Sequence, residues 1–152
     1  MTMKSIAYPL LVASLFCLCG CSSPNNNDPE LYSHNGSPAT TRLLVGRWVG
    51  EISPNPTETR RWVCVRKSDG TYTIDFEVTY NESQQVQHVH ESGRWSVSGD
   101  FYQTNTTLVD GKPTDPMSPY FSDIYRIESL TETSFTYRHM QTKQRYTVHR
   151  VL

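Results

Sequence analysis

Cysteine is scarce in this 152-residue chain and is concentrated at its start. Three of the four cysteines, Cys17, Cys19 and Cys21, lie within the first 21 residues. Cys64 therefore has no disulfide partner in the rest of the chain. Because it alternates with Trp62 in an apolar segment, it is predicted to be a small buried hydrophobic side chain and not a reactive thiol.

Positive charge is not in surplus, and the common catalytic motifs are missing. The chain has 14 Lys and Arg against 15 Asp and Glu, a formal net charge of −1, so it offers no basic surface for nucleic acid. It contains no Gly-x-Ser-x-Gly, no His-Glu-x-x-His and no phosphate-binding Gly-rich loop. We therefore expect no nucleic-acid partner, no enzymatic activity and no cofactor.

No apolar run is long enough to cross a bilayer. The longest spans residues 6–18, about 13 residues, whereas a membrane helix needs about 20. It follows a short polar start that carries one positive charge, Lys4. This pattern is typical of an export signal, so residues 1–20 are predicted to be a signal peptide.

The residues that end this run indicate how the exported chain is processed. Leu18-Cys19-Gly20-Cys21 resembles the lipobox of bacterial lipoproteins. The resemblance implies a lipid on Cys21 and the membrane as a partner, since two or more acyl chains anchor a protein stably. Cleavage by an ordinary signal peptidase is the alternative. Ser22 resembles the residue that directs such proteins to the outer membrane, which implies a cell-envelope location facing the periplasm.

The next segment is poor in apolar residues and rich in Pro, Asn, Ser and Gly. Such a segment cannot bury enough apolar surface to offset the entropy of ordering it. Residues 21–42 are therefore predicted to be a lipidated flexible tether. Residues 43–152, about 110 in number, are enough for one domain with one core.

Alternation of apolar and polar residues predicts that this domain is all-β. The clearest case is residues 72–80, where every second residue is apolar or aromatic. Further strands are predicted at 44–52, 60–67, 85–98, 101–109, 123–130, 134–140 and 145–151. Short turns join most of them, which favours an eight-stranded antiparallel up-and-down β-barrel, because closure leaves no unpaired edge.

Several of these segments resemble a known group. The Gly-x-Trp at Gly46-Arg47-Trp48, the segment 93–100 and the strands at 125–130 and 146–151 are similar to lipocalins and calycins, in particular to small bacterial lipocalin-like lipoproteins. An avidin-like barrel also opens with Gly-x-Trp and stays an alternative. The resemblance implies that Trp48 closes one barrel end and that Arg150 packs over its indole.

An eight-stranded barrel is either filled by its own side chains or just wide enough for one small ligand. Both alternatives stay open, because many large side chains face inward. If a pocket exists, its candidate lining residues are Trp62, Tyr72, Phe76, Trp95, Tyr102, Thr104 and Tyr137.

The longest interruption between strands, residues 110–122, carries Met117, Tyr120 and Phe121. Loops of this length often have a function. We interpret it as a lid over the barrel mouth, as an interaction surface, or as a cover for one barrel end.

Histidine supplies the single hint of a metal site. His88 and His90 share one face of a strand and, with a third ligand such as His139, could bind a transition metal. Whether they share the face of Trp95 depends on a bulge near residues 92–93. Exposed or pocket-lining histidines are the favoured interpretation, so no metal is expected.

Two functions remain from this sequence. The first is a lipid-anchored barrel that binds a small apolar or aromatic ligand in the cell envelope. The second is a plugged barrel that acts through its surface loops as an interaction or inhibitor module for an envelope protein. The lipocalin resemblance favours the first, although a fold does not fix a function.

Overall fold

The computed structural model describes residues 37–118 and 121–151. In this part of the chain a single helix precedes nine strands. The elements are α1 (Pro38–Leu44), β1 (Gly46–Asn55), β2 (Glu58–Arg66), β3 (Thr71–Tyr80), β4 (Gln85–Ser98), β5 (Phe101–Val109), β6 (Lys112–Pro113), β7 (Ser122–Leu130), β8 (Ser134–His139) and β9 (Arg145–Val151).

Eight of the strands form a closed antiparallel barrel. The order around it is β1, β2, β3, β4, β5, β7, β8 and β9, and β9 pairs with β1 to close the ring. The two-residue strand β6 pairs with the end of β5 outside this ring. The prediction of an all-β, eight-stranded up-and-down barrel is confirmed.

The turn between β2 and β3 shows how local sequence sets the hairpins. Gly70 has a φ of 78°, a left-handed conformation that costs glycine little. The side chain of Asp69 accepts hydrogen bonds from both the backbone N–H and the hydroxyl of Thr71, at 2.9 and 2.6 Å. These bonds hold the turn in place, and they fix the register in which Arg66 pairs with Tyr72.

The two ends of the barrel differ. We call the end that carries α1 and the turns at residues 67–70, 99–100 and 131–133 the closed end. The opposite end, which carries the turns at residues 81–84 and 140–144 and the loop after β5, is the open end.

Trp48 and Arg150 seal the closed end. The indole of Trp48 is fully buried and donates a hydrogen bond from Nε1 to the carbonyl of Leu44, at 3.0 Å. The guanidinium of Arg150 lies 4.4 Å from the centre of the Trp48 ring and donates to the carbonyls of Val45, at 2.7 Å, and Leu43. This is the arrangement that the lipocalin resemblance implies.

Helix α1 begins inside the segment predicted to be a tether. Pro38 is its first residue, where the fixed φ of proline suits a helix start. Leu44, its last residue, is fully buried in the barrel core. The predicted signal peptide, Cys21 and residues 21–36 of the predicted tether lie outside the described residues.

The closed half of the interior is filled by side chains. Alternate strand residues point inward and form one core, with Phe135 and Tyr137 stacked at 4.5 Å between ring centres and Tyr102 edge-on to Phe135 at 5.7 Å. Trp95 is also buried there, and its Nε1 donates to the carbonyl of Lys67 at 3.1 Å. This half therefore has the plugged core that the sequence left open as one alternative.

The bulge that decides the face of the β4 histidines lies in β5 and not in β4. β4 pairs with β3 without interruption from Arg94 to Gln85, whereas in β5 the partners of Ser92 and Gly93 are separated by the extra residue Thr107. The alternation along β4 is therefore unbroken. His88 and His90 lie on the outer surface, opposite the face of Trp95.

Candidate ligand site in the barrel mouth

A cavity of about 180 Å³ lies inside the open end of the barrel. Drug-sized ligands occupy larger pockets, but an apolar cavity of about 150 Å³ engineered in another protein binds benzene. The volume therefore suits a molecule of about one ring. The lining residues come from β1, β2, β3, β7, β8, β9 and the turn before β9: Ile52, Pro54, Arg60, Trp62, Ile74, Phe76, Tyr125, Tyr137, Gln144 and Tyr146.

Five aromatic side chains form most of this wall and hold one another in place. Trp62 meets Tyr146 edge-on at 5.9 Å and Phe76 at 6.3 Å between ring centres. Tyr137 stacks on Tyr146 at 5.4 Å and meets Tyr125 edge-on at 5.1 Å. Such ring pairs contribute beyond the area they bury, so the wall is preorganised.

The position of Trp62 depends on a glycine in the neighbouring strand. Gly50 is the cross-strand partner of Trp62. A methyl group at Gly50 would lie 2.5 Å from Cε2 of Trp62, closer still to Cζ2, and 2.8 Å from Cγ1 of Val148. The indole therefore lies directly against the backbone of β1 at Gly50.

A group of polar side chains stands beside the cavity, on β3, β4 and β5. Glu91 is the inward-facing partner of Ile74. The Tyr72 hydroxyl lies 2.7 Å from that of Thr106, which in turn lies 3.5 Å from the Glu91 carboxylate. Burial raises the pKa of Glu91, and the nearby Asp123 raises it further. Tyr72, Thr106 and Glu91 form a polar cluster next to the lining residue Ile74 and are not part of the cavity lining itself.

His139 extends the polar groups along β8. The backbone N–H of Thr142 donates to Nδ1 of His139 at 3.0 Å. In the neutral ring the proton therefore sits on Nε2, which donates to the Asp123 carboxylate at 3.0 Å. The ring also lies 5.1 Å from that of Tyr125, so the pair helps to hold one wall of the cavity.

The seven ligand-binding candidates all face the interior but do not all meet the cavity. Trp62, Phe76 and Tyr137 line it. The other four lie outside its wall and are buried in the core, with exposed fractions of 5% or less: Tyr72, Trp95, Tyr102 and Thr104.

Sequence reasoning missed two aromatic residues of the wall, Tyr125 and Tyr146. Both had a usable signal. Tyr125 alternates with Ile127, and Tyr146 alternates with Val148 and with Arg150, which was already expected to point inward. Period-two alternation from Arg150 places Tyr146 on the inner face.

The loop after β5 does not line the cavity in its described part. It folds back on β5, where Thr106 donates its backbone N–H to the carbonyl of Phe121 at 2.7 Å. Met117 is 89% exposed, and Tyr120 lies outside the described residues. The described residues of this loop thus form a protruding segment beside the mouth.

The three histidines suggested for a metal site are not brought together. His90 pairs with Asp75 on the outer surface, with 2.6 Å between Nδ1 and Oδ1, while His139 faces inward. Within residues 37–118 and 121–151, no three His, Cys, Asp or Glu side chains are grouped in a way that could hold a metal ion.

A second concave surface lies on the outside of the barrel. It is a groove of about 640 Å³ across β1, β2, β3, β4 and β9. Its outward-facing residues include Val49, Val63, His88 and His149, together with the ion pair of Arg61 and Glu51. Apolar and charged groups of both signs alternate there.

No protein-family profile matches this sequence, and no curated protein is significantly similar to it.

The part of the chain that the structure describes contains no helix that is long and apolar enough to cross a membrane.

Proposed function

We propose that this chain is a lipid-anchored envelope protein whose barrel binds one small apolar or aromatic molecule. The observation that carries the proposal is the cavity at the open end, which is lined by five aromatic side chains together with the polar side chains of Arg60 and Gln144. Ligand sites usually combine an apolar lining with a few placed polar groups. The plugged closed half adds rigidity, so binding would order few side chains and lose little entropy.

The ligand part of the proposal is tested by native mass spectrometry of the purified chain. We expect a stoichiometric organic mass that denaturation releases. Ile74→Phe fills the cavity from β3 and should abolish this adduct. Val63→Phe adds the same ring volume on the outer groove and is the matched control, which should keep the adduct.

Two results would contradict ligand binding in the cavity. One is a clean apo mass that persists after exposure to an envelope extract. The other is an adduct that survives in the Ile74→Phe protein and is lost in the Val63→Phe protein, because that would move the binding site to the outer groove.

The anchor rests on Leu18-Cys19-Gly20-Cys21 and needs its own test. A bacterium expressing the chain is fed an alkyne analogue of palmitate, and the protein is then captured and probed for the label. The wild-type chain should carry the label and fractionate with the outer membrane. The Cys21→Ser protein should carry none, and equal labelling of both would refute the lipobox assignment.

A second candidate function is an interaction or inhibitor module for an envelope protein. The observation that favours it is Met117, which is 89% exposed on the loop beside the mouth. Large exposed apolar side chains on loops often mark contact surfaces. Replacing residues 111–118 by Gly and Ser should then abolish capture of the partner while leaving ligand binding unchanged.

A further inference from the structure

Arg66 is a buried cation without a compensating anion. It is the last residue of β2, faces inward and is 2% exposed. Its Nε donates to the Tyr102 hydroxyl at 3.0 Å, and its guanidinium lies 4.7 and 5.5 Å from the ring centres of Tyr102 and Phe135. Its Nη1 is buried and has no hydrogen-bond partner among the described residues.

The groups around Arg66 cannot balance its charge. Burial raises the pKa of the Cys64 thiol and of the Tyr102 and Tyr137 hydroxyls, so all three are neutral near pH 7. The guanidinium stays protonated in proteins. No described Asp or Glu lies within ion-pair distance of it. A buried charge in this state is costly unless an anion joins it.

Arg150 shows how this fold accommodates an arginine that has only a structural role. Its guanidinium also packs on an aromatic ring, that of Trp48. Three of its nitrogens donate to backbone carbonyls, those of Glu132, Val45 and Leu43. Arg66 has the ring contacts without such acceptors for its Nη1.

The Arg66 guanidinium lies one layer of rings away from the ligand cavity. The two rings that contact it stack on two rings that line the cavity: Tyr102 on Tyr125 at 5.5 Å, and Phe135 on Tyr137 at 4.5 Å. The Tyr102 hydroxyl accepts a bond from Arg66 and keeps its own proton to donate. For a group in the cavity to reach both donors, Tyr137 has to rotate away from its stack with Phe135.

We propose that Arg66 and Tyr102 form an anion-binding site in the barrel interior, filled by a monoanion such as the carboxylate of a small aromatic acid. Nη1 of Arg66 and the hydroxyl of Tyr102 are its donors, and the ring of the acid occupies the cavity. The assignment rests on the proposed ligand-binding function and gives that ligand a charge. A free inorganic anion such as chloride has the same chemistry and is the other source of the anion.

The test is a calorimetric titration of the purified full chain with benzoate, with benzamide and with chloride. Benzoate and benzamide share a shape and differ in charge. Arg66→Met removes the buried charge and keeps an unbranched side chain. Arg61→Met removes an exposed charge, five residues earlier in the same strand, and is the control.

We expect benzoate to bind the wild-type protein at least about tenfold more tightly than benzamide, because hydrogen bonds to charged groups are the strong ones. Arg66→Met should weaken benzoate binding about ten- to a hundredfold and benzamide binding by much less, because a neutral carbonyl accepts a weaker hydrogen bond than a carboxylate. Arg61→Met should change neither. If chloride binding depends on Arg66 while benzoate binds no more tightly than benzamide, the anion site is supported and its occupant is a free ion.

Other outcomes overturn the proposal. If benzoate and benzamide bind equally and no chloride effect depends on Arg66, the anion site is wrong while ligand binding in the cavity stands. If neither organic probe nor chloride binds, the anion site is wrong and the ligand-binding proposal loses its support. If Arg66→Met fails to fold, Tyr102→Phe keeps the ring, removes one donor and should still lower benzoate affinity selectively.

Discussion

Replacing Gly50 by alanine should displace Trp62 and reduce the cavity. The added methyl would lie 2.5 Å from Cε2 of Trp62, which no folded protein tolerates, so the indole has to move. Cγ1 of the buried Val148 lies 2.8 Å from the same methyl, so this side chain has to shift as well. Trp62 lines the cavity, so we expect the displaced indole to take up part of that volume.

Insertion of one carbon into a packed core typically costs about 1–3 kcal/mol. For a domain of this size each kcal/mol lowers Tm by roughly 4–8 °C. We therefore expect Gly50→Ala to lower Tm by several degrees at least. It should also shift the tryptophan emission and abolish the binding of benzamide, because the cavity of about 180 Å³ is partly filled by the displaced ring.

The assay is thermal unfolding followed by circular dichroism, together with tryptophan fluorescence and a benzamide titration. Gly50→Ala/Trp62→Leu is the decisive control, since leucine lacks both indole atoms that meet the methyl. The double variant should be less unstable than the sum of the single changes. A Gly50→Ala protein with wild-type Tm, emission and benzamide affinity would refute the placement of Trp62.

Three other substitutions test the fold and its charges. Gly93→Ala should destabilise more than Gly50→Ala in thermal unfolding, because its methyl would meet the backbone carbonyl of Asn105 and no side chain can yield. Arg150→Met should lower the denaturant-derived free energy of unfolding by at least about 2 kcal/mol, since it leaves three carbonyls without donors. A loss below half of that would contradict its sealing role. Burial raises the pKa of the Glu91 carboxyl above 4.5, so the ionised form is less stable in the folded protein and the free energy of unfolding falls as pH rises from 4.5. Glu91→Gln should therefore raise Tm at pH 7 and change it little at pH 4.

The fold was largely predictable because its strands alternate cleanly and its turns are short. Tyr72, Ile74, Phe76 and Val78 lie on one face of β3, and such a pattern has one solution when a single face is buried. Trp48 and Arg150 could be placed through the Gly-x-Trp resemblance. Alternation needs no knowledge of which strands become neighbours.

The candidate site was less predictable because it depends on which side chains meet across the barrel. Trp95 and Tyr102 face inward like Trp62, but their distance from the open end decides that they fill the core. The face of His88 depended on where one extra residue falls, and it falls at Thr107 in the neighbouring strand. Neither feature is encoded in the local pattern of the strand concerned.

The surroundings of Arg66 were also only partly predictable from the sequence. It alternates with Trp62 and Cys64, so its inward position follows from the sequence. Its lack of a compensating carboxylate does not, because that depends on every strand that faces it. The rule that buried charges are paired would have predicted a carboxylate beside Arg66, but among the described residues no acceptor meets its Nη1.

The most direct test of ligand binding in the cavity is an NMR titration of the methyl groups with toluene. Ile52 and Ile74 line the cavity, whereas Val49 and Val63 line the outer groove. We predict saturable shifts of the two isoleucine methyl groups while the two valines stay unchanged. Shifts confined to the valines, or no saturable shift at any of the four, would contradict the claim that the barrel mouth is the binding site.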